Sequence, residues 1–193
     1  MKCQKCGYEH SRKVCPYCLR AEKWQKLPLQ KKLPGLPTRM YIELEEDYEL
    51  EHQIDAEKAY FCFGSANTGK TVFAVYTMYK KAKKAYIENR TFSYEFVPLT
   101  ELFDQIISRK KDREFYKNLD YLVIDDLGVE HNNDALYGIL YSIVDYRYNW
   151  MKQTTFTSNL SPAEIKDKLQ DERLVRRIIA SCDVLKFKEI HYE

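Results

Sequence analysis

Residues Gly64-Ser65-Ala66-Asn67-Thr68-Gly69-Lys70-Thr71 follow the P-loop pattern G-x-x-x-x-G-K-[ST]. The pattern works only where a buried strand runs into the start of a helix, so it constrains the fold more than any other stretch. Gly64 and Gly69 allow a tight turn whose N–H groups can approach a polyphosphate. Lys70 supplies a point charge to the β/γ-phosphates, and the Thr71 hydroxyl is placed as a Mg²⁺ ligand. The flanks agree: Lys58–Gly64 is a short apolar run that reads as a strand. Thr71–Lys84 carries Val72, Val75, Tyr76 and Tyr79 at helical spacing and ends in Lys80, Lys81, Lys83 and Lys84.

A second motif belongs to the same chemistry. Tyr121-Leu-Val-Ile-Asp125-Asp126 is an apolar strand ending in two carboxylates, a Walker B pattern. Asp125 is expected to hold Mg²⁺, directly or through water. Asp126 sits where a base would polarise an attacking water. Glu is the usual residue there, and Asp is one methylene shorter, so slow hydrolysis or a repositioned water is expected.

Four cysteines stand apart near the N-terminus as Cys3-x2-Cys6 and Cys15-x2-Cys18, separated by eight residues. Paired C-x-x-C spacing points to zinc, with four thiolates completing a tetrahedron. His10 could replace one sulfur. Two disulfides are the rival reading, disfavoured because no secretion signal precedes them. So short a segment has too few apolar residues to fold alone, so a metal would be structural. Cys62 and Cys182 read as buried fillers.

Charge divides the chain further. Residues 1–39 hold Lys/Arg at 2, 5, 12, 13, 20, 23, 26, 31, 32 and 39 against Glu9 and Glu22. Residues 40–57 hold acids at 43, 45, 46, 47, 49, 51, 55 and 57 and no Lys or Arg. Such a sign change marks a boundary. The expected layout is a zinc module over 1–24, a linker and acidic segment over 25–57, and an α/β core with a parallel sheet over 58–193. The prolines of 24–39 suggest an extended linker, and Tyr48–Ile54 reads as a solvated acidic face, with adenine contact as the alternative. No apolar run approaches the roughly 20 residues that cross a bilayer, and no apolar leader is seen. A cytoplasmic setting without membrane partners is the default expectation.

Within the core, 85–90 and 94–97 read as strands. Residues 99–111 read as a helix with Leu102, Phe103, Ile106 and Ile107 on one side. Residues 134–152 read as a long helix with Leu136, Ile139, Leu140, Ile143, Val144 and Trp150 inward. Thr154–Asn159 reads as a strand, Ser161-Pro162-Ala-Glu164 as a capped helix start, and Val184–Glu189 as a last strand. Lys81, Lys83, Lys84, Arg90, Arg109, Lys110, Lys111 and Arg113 could line a single-strand track, with Phe92 and Tyr94 stacking on bases.

Taken together, the P-loop, Ile124-Asp-Asp-Leu-Gly128, Thr157-Ser-Asn159 and Glu172-Arg-Leu-x-x-Arg resemble the DnaC/DnaI helicase loaders and their IstB-like relatives, of the AAA+ class. The resemblance covers 58–193. It implies ATP as ligand, with Asn159 as a sensor of the γ-phosphate and Arg177 as an arginine finger donated to a neighbouring subunit's ATP. Arg173, one turn earlier, is the alternate finger, and Arg147 falls on a family pattern without an assigned role. Only residues 178–193 follow Arg177, as expected of a core without a C-terminal lid. The resemblance implies an ATPase that loads a DnaB-type replicative helicase onto single-stranded DNA, self-associating through the ATP site. The zinc module would grip the helicase. The compact module, the short segment before the P-loop and the ending Ile190-His-Tyr-Glu193 depart from relatives, suggesting a phage or mobile-element version. Other readings are an IstB-like transposition helper, a P-loop nucleoside kinase and a non-hydrolysing binding module. The kinase leaves Thr157-Ser-Asn159 and the two arginines without purpose.

Overall fold

The computed structural model describes residues 1–12, 14–45, 53–128, 134–169 and 172–188. Five strands form one sheet in the order β2-β3-β4-β1-β5: β1 Tyr60–Phe63, β2 Tyr94–Pro98, β3 Tyr121–Asp125, β4 Gln153–Ser158 and β5 Asp183–Lys186. Every neighbouring pair is parallel, so helices must carry the chain back across the sheet between strands. All five residues of β3 are buried, as expected of a central strand covered on both faces.

Alternation along β3 sorts the core. Leu122 and Ile124 join Phe61 and Phe156 in a cluster with residues of α5 (Leu99–Ile107), α7 (Asp134–Asn149), α8 (Pro162–Leu169) and α9 (Glu172–Ser181). Tyr121 and Val123 pack instead with Ala74, Val75, Met78 and Ala82 of α4 (Lys70–Glu88). The predicted cap of α8 is present: the Ser161 N–H donates to Glu164 Oε2 at 2.7 Å, and the Glu164 N–H donates to Ser161 Oγ at 3.3 Å.

Several expectations are corrected. Residues 85–90 are not a strand: α4 continues to Glu88 because Met78, Ala82 and Ala85 keep a buried stripe at helical spacing. Asn89, at φ 59°, ends the helix, and the Arg90 N–H returns to the Ala85 carbonyl at 2.9 Å. Residues 24–39 are not an open linker. They contain α2 (Leu29–Lys32) and the start of α3 (Thr38–Glu45), and Trp24, Leu33, Leu36 and Tyr41 are buried against α4. The Tyr41 hydroxyl donates to the Leu33 carbonyl at 2.7 Å and accepts from the Leu36 N–H at 3.1 Å. Trp150 is 67% exposed and Ile107 64% exposed, because α7 ends at Asn149 and α5 ends at Ile107 itself.

The basic track is only partly available. Lys81 is buried, donating to the Ala56 carbonyl and to Gln153 Oε1, both at 2.6 Å. Lys84 pairs with Glu57, Arg90 with Glu88 at 2.8 Å, and Lys111 with Glu95 at 2.6 Å. Phe92 stacks on Tyr121 and lies tilted against Tyr94 within the protein. Residues 48–52 of the adenine candidate lie outside the described residues. Ile54 packs against the cluster of Tyr60, Cys62, Phe73 and Phe187. Among the described residues no helix is long and apolar enough to cross a membrane.

Candidate nucleotide and metal sites

At the C-terminal edge of the sheet, β1 leads into the loop and Gly69, at φ 85°, opens α4 without any side-chain cap. The first-turn N–H groups are thereby left for an anion. Ser65, Ala66 and Asn67 form the exposed rim, and Thr68 is buried beneath them. Lys70 is 6% exposed and folds back over the loop, donating to the Gly64 carbonyl at 2.9 Å, the Ser65 carbonyl at 2.5 Å and Thr68 Oγ1 at 3.3 Å. Burial holds its ammonium below the usual lysine range, while Asp126 and Asp125 pull it back up. A phosphate oxygen would offer this cation a stronger partner than a neutral carbonyl.

Gly64 has a further reason to be glycine. The Phe187 N–H donates to the Phe63 carbonyl at 2.7 Å, just past β5. A Cβ on Gly64 would run into the Phe187 carbonyl oxygen.

The two motifs meet at Asp125. Its Oδ1 accepts from Thr71 Oγ1 at 2.9 Å and from Thr157 Oγ1 at 2.5 Å. Burial raises the Asp125 carboxyl above the ordinary range, and the Thr157 hydrogen bond opposes this. A hydroxyl and a carboxylate converging beside the phosphate cradle are the hard oxygen donors that Mg²⁺ takes, so the residues present fit that ion. Thr157 also accepts the Asp126 N–H at 3.0 Å, fixing the turn in which Asp126 stands exposed at φ 59°. Sequence reasoning placed Thr157 in a β-branched strand and in the Thr157-Ser-Asn159 motif but missed its contact with Asp125. The available signal was its place near the C-terminal end of a parallel strand, where such sheets bind ligands.

Strand order brings the other expected residue close. Since β4 lies between β3 and β1, the Gly64 N–H reaches the Ser158 carbonyl at 3.3 Å. Asn159 follows directly, exposed at the same edge. The structure does not bring Arg177 to its own P-loop. Arg177 is held against α7, where Nε lies 2.5 Å from Asp145 Oδ1 and the guanidinium rests over the Tyr141 ring at 5.0 Å. Arg173 lies over the same ring at 5.7 Å.

Arg147 acquires a role that the sequence did not show. It is 1% exposed and donates to Thr154 Oγ1 at 2.7 Å, to the Tyr116 and Leu119 carbonyls at 2.8 Å, and to the Gln153 carbonyl at 2.7 Å. It therefore ties α7 to α6 (Arg113–Asn118), to the turn that leads from α6 into β3, and to the start of β4.

The four N-terminal sulfurs of Cys3, Cys6, Cys15 and Cys18 lie within 4.8 Å of one another. The Cys3–Cys18 and Cys6–Cys15 separations are 3.8 and 3.6 Å. A tetrahedron with metal–sulfur bonds of about 2.3 Å has edges of about 3.8 Å, so the cluster fits zinc. Backbone N–H groups of Cys6 and then Lys5 lower the Cys3 thiol to about 6, whereas sharing with Cys6 raises Cys18 to about 12. Four thiolates so close need a cation between them. His10 is not part of this cluster; its Nδ1 is buried without a hydrogen-bond partner among the described residues. The module is seated on the core by α1 (Pro16–Lys26). Arg20 donates to the Ile87 carbonyl, and the Trp24 indole N–H donates to the Tyr79 hydroxyl at 3.1 Å.

Residues 53–183 match the family described as the bacterial DnaA ATPase domain. Among solved structures, that of the DnaC helicase loader is 30% identical, with 72% of this chain and 82% of that chain covered and a TM-score of 0.56. The DnaI structure is 23% identical over 72% of this chain and 76% of that chain, with a TM-score of 0.54. AMPPCP-bound DnaA from Aquifex aeolicus is 20% identical over 68% of this chain, with a TM-score of 0.53, and only 40% of that longer chain is covered. The last two likenesses speak to the fold alone. No curated protein matches the chain in sequence. The P-loop edge, the parallel sheet and these matches agree: the chain belongs to the bacterial DnaA ATPase-domain family, as a DnaC/DnaI-like AAA+ protein with an N-terminal four-cysteine group.

Proposed function

We propose that this protein is an ATP-dependent loader of a DnaB-type replicative helicase onto single-stranded DNA. The observation that carries the reading is the convergence of Lys70, Thr71 and Asp125 at one sheet edge, on a chain similar to a DnaC helicase loader. Lys70 and the N–H groups from Gly64 to Thr71 would bind the triphosphate. Thr71 and Asp125 would hold Mg²⁺, which bridges phosphate oxygens and neutralises their charge. Asp126 would orient water, and Asn159, level with it, would register the γ-phosphate. Arg177 of a second copy would complete the site, with Arg173 as its alternate, so that ATP bridges subunits and hydrolysis loosens the bridge.

The remaining assignments follow from the division into 1–24, 25–57 and 58–193. The zinc module would grip the helicase. Single-stranded DNA would follow the inner surface of the assembly, where Lys83, Arg109, Lys110 and Arg113 are the track cations not engaged above.

The test is ATP binding and turnover by the full chain, with and without single-stranded DNA and a DnaB-type helicase. Lys70→Ala should weaken ATP binding on the order of 100-fold, the loss of two charge-assisted hydrogen bonds. The reading fails if the parent chain binds no ATP, or if no replicative helicase associates with it.

A further inference from the structure

Helices α7 and α9 meet through two pairs of side chains, each one helical turn apart and therefore on one face. Tyr141 and Asp145 stand on α7; Arg173 and Arg177 stand on α9. The Tyr141 ring lies under the Arg177 guanidinium at 5.0 Å, a cation–π distance. Asp145 Oδ1 lies 2.5 Å from Arg177 Nε. That nitrogen is buried, and its N–H is not aligned for a hydrogen bond, so the contact is an ion pair. At the tip, among the described residues, Nη1 reaches only the Arg173 carbonyl, at 3.3 Å. The Arg177 side chain remains 25% exposed.

A latch that hid the guanidinium would take both terminal nitrogens in a two-pronged carboxylate contact. Here the carboxylate takes the inner nitrogen and the ring takes one face. Among the described residues the outer edge, which carries the terminal nitrogens, meets only the Arg173 carbonyl, through Nη1. An arginine has many rotamers to lose when it is fixed, and this seat removes most of them before any anion arrives.

We propose that Asp145 and Tyr141 are positioning residues that aim Arg177 at the triphosphate held by a second copy of this chain. This rests on the reading of Arg177 as a finger acting between subunits. Asp145 and Tyr141 touch no phosphate themselves. They set the direction and reach of the guanidinium, and their effect should appear on the neighbouring subunit rather than on their own.

Mixed full-length chains test this. A Lys70→Ala chain keeps its finger but has a damaged cradle; an Arg177→Ala chain keeps its cradle but lacks the finger. Each should hydrolyse ATP poorly alone, and their mixture should recover turnover. Introducing Asp145→Asn into the Lys70→Ala donor should lower the recovered kcat about tenfold with KM for ATP unchanged. Asp145→Glu in the same donor should restore most of it, and Tyr141→Leu should cost about threefold. Arg176→Ala, whose side chain pairs with Glu172 at 3.0 Å away from this seat, should match the unaltered donor. Asp145→Asn in an otherwise intact chain should keep its own ATP affinity, which shows that the core is folded.

If the Asp145→Asn donor works as well as or better than its parent, Asp145 is idle or a latch, and the positioning role is overturned while the finger stands. If Arg177→Ala alone turns over normally, or mixing recovers nothing, the finger reading and this inference fall together.

Discussion

Asp125 concentrates the conflict between stability and function in one side chain. It is buried, and burial raises its carboxyl, while two hydroxyls and Lys70 oppose the shift. A carboxyl whose folded pKa is raised costs the fold stability once it ionises. The cost is absent below the unfolded value of about 3.9. It grows as pH rises towards the folded value and is complete above it. Asp125→Asn keeps an oxygen to accept from Thr71 and Thr157 while removing the charge. We expect the metal-free variant to melt a few degrees higher than the parent at pH 7, with the gap closing towards pH 4, followed by calorimetry. The same variant should lose Mg²⁺-dependent ATP turnover. A variant that melts lower at neutral pH would mean that the ionised carboxylate is already well compensated.

At the scale of elements, Arg147 decides how α7 sits against the sheet. One guanidinium satisfies the Tyr116, Leu119 and Gln153 carbonyls and the Thr154 hydroxyl. Methionine fills similar volume but leaves these buried acceptors unpaired. Arg147→Met should therefore cost about 3 kcal/mol or more of unfolding free energy, read by urea denaturation. Lysine cannot span the same acceptors and should rescue little. A loss below about 1 kcal/mol would show that water replaces the guanidinium.

For the whole molecule, the question is how the cysteine group depends on the core. Its own apolar content is small, yet α1 is anchored by Trp24, which is 3% exposed and packs on Tyr79 and Tyr86. The full chain should carry one zinc ion, measured by elemental analysis. Chelation should free residues 1–18 for proteolysis while the main melting transition moves by less than about 5 °C, because the sheet and α4 do not rest on the metal. Trp24→Ala should have the opposite pattern, retaining zinc and lowering the main transition by removing a large buried side chain.

Much of this was readable along the chain wherever chemistry and local geometry coincide. The P-loop, the strand ending in Asp125, the paired cysteines and the Ser161–Glu164 cap are all set by residues a few positions apart, so spacing alone specified them. The apolar run of β3 and the helical stripe over 71–84 needed no tertiary knowledge either. What spacing could not supply was which side chains meet across the sheet. Thr157 matters because β4 lies beside β3. Gly64 is constrained by the Phe187 carbonyl 123 positions away (187 − 64), and Arg147 is set by carbonyls on separate segments. Local pattern also misjudged 85–90, where apolar residues fit a strand or a helix equally and packing of α4 decided. It misjudged 24–39 as well, where prolines suggested an extended path but Trp24, Leu33 and Tyr41 gained more by burial against α4. Short-range spacing was enough to name the groups that could bind phosphate and metal, since that chemistry resides in neighbouring residues. How those groups are held, and that Arg177 is seated on α7 rather than at its own P-loop, came from packing between distant segments, which leaves no signature along a single chain.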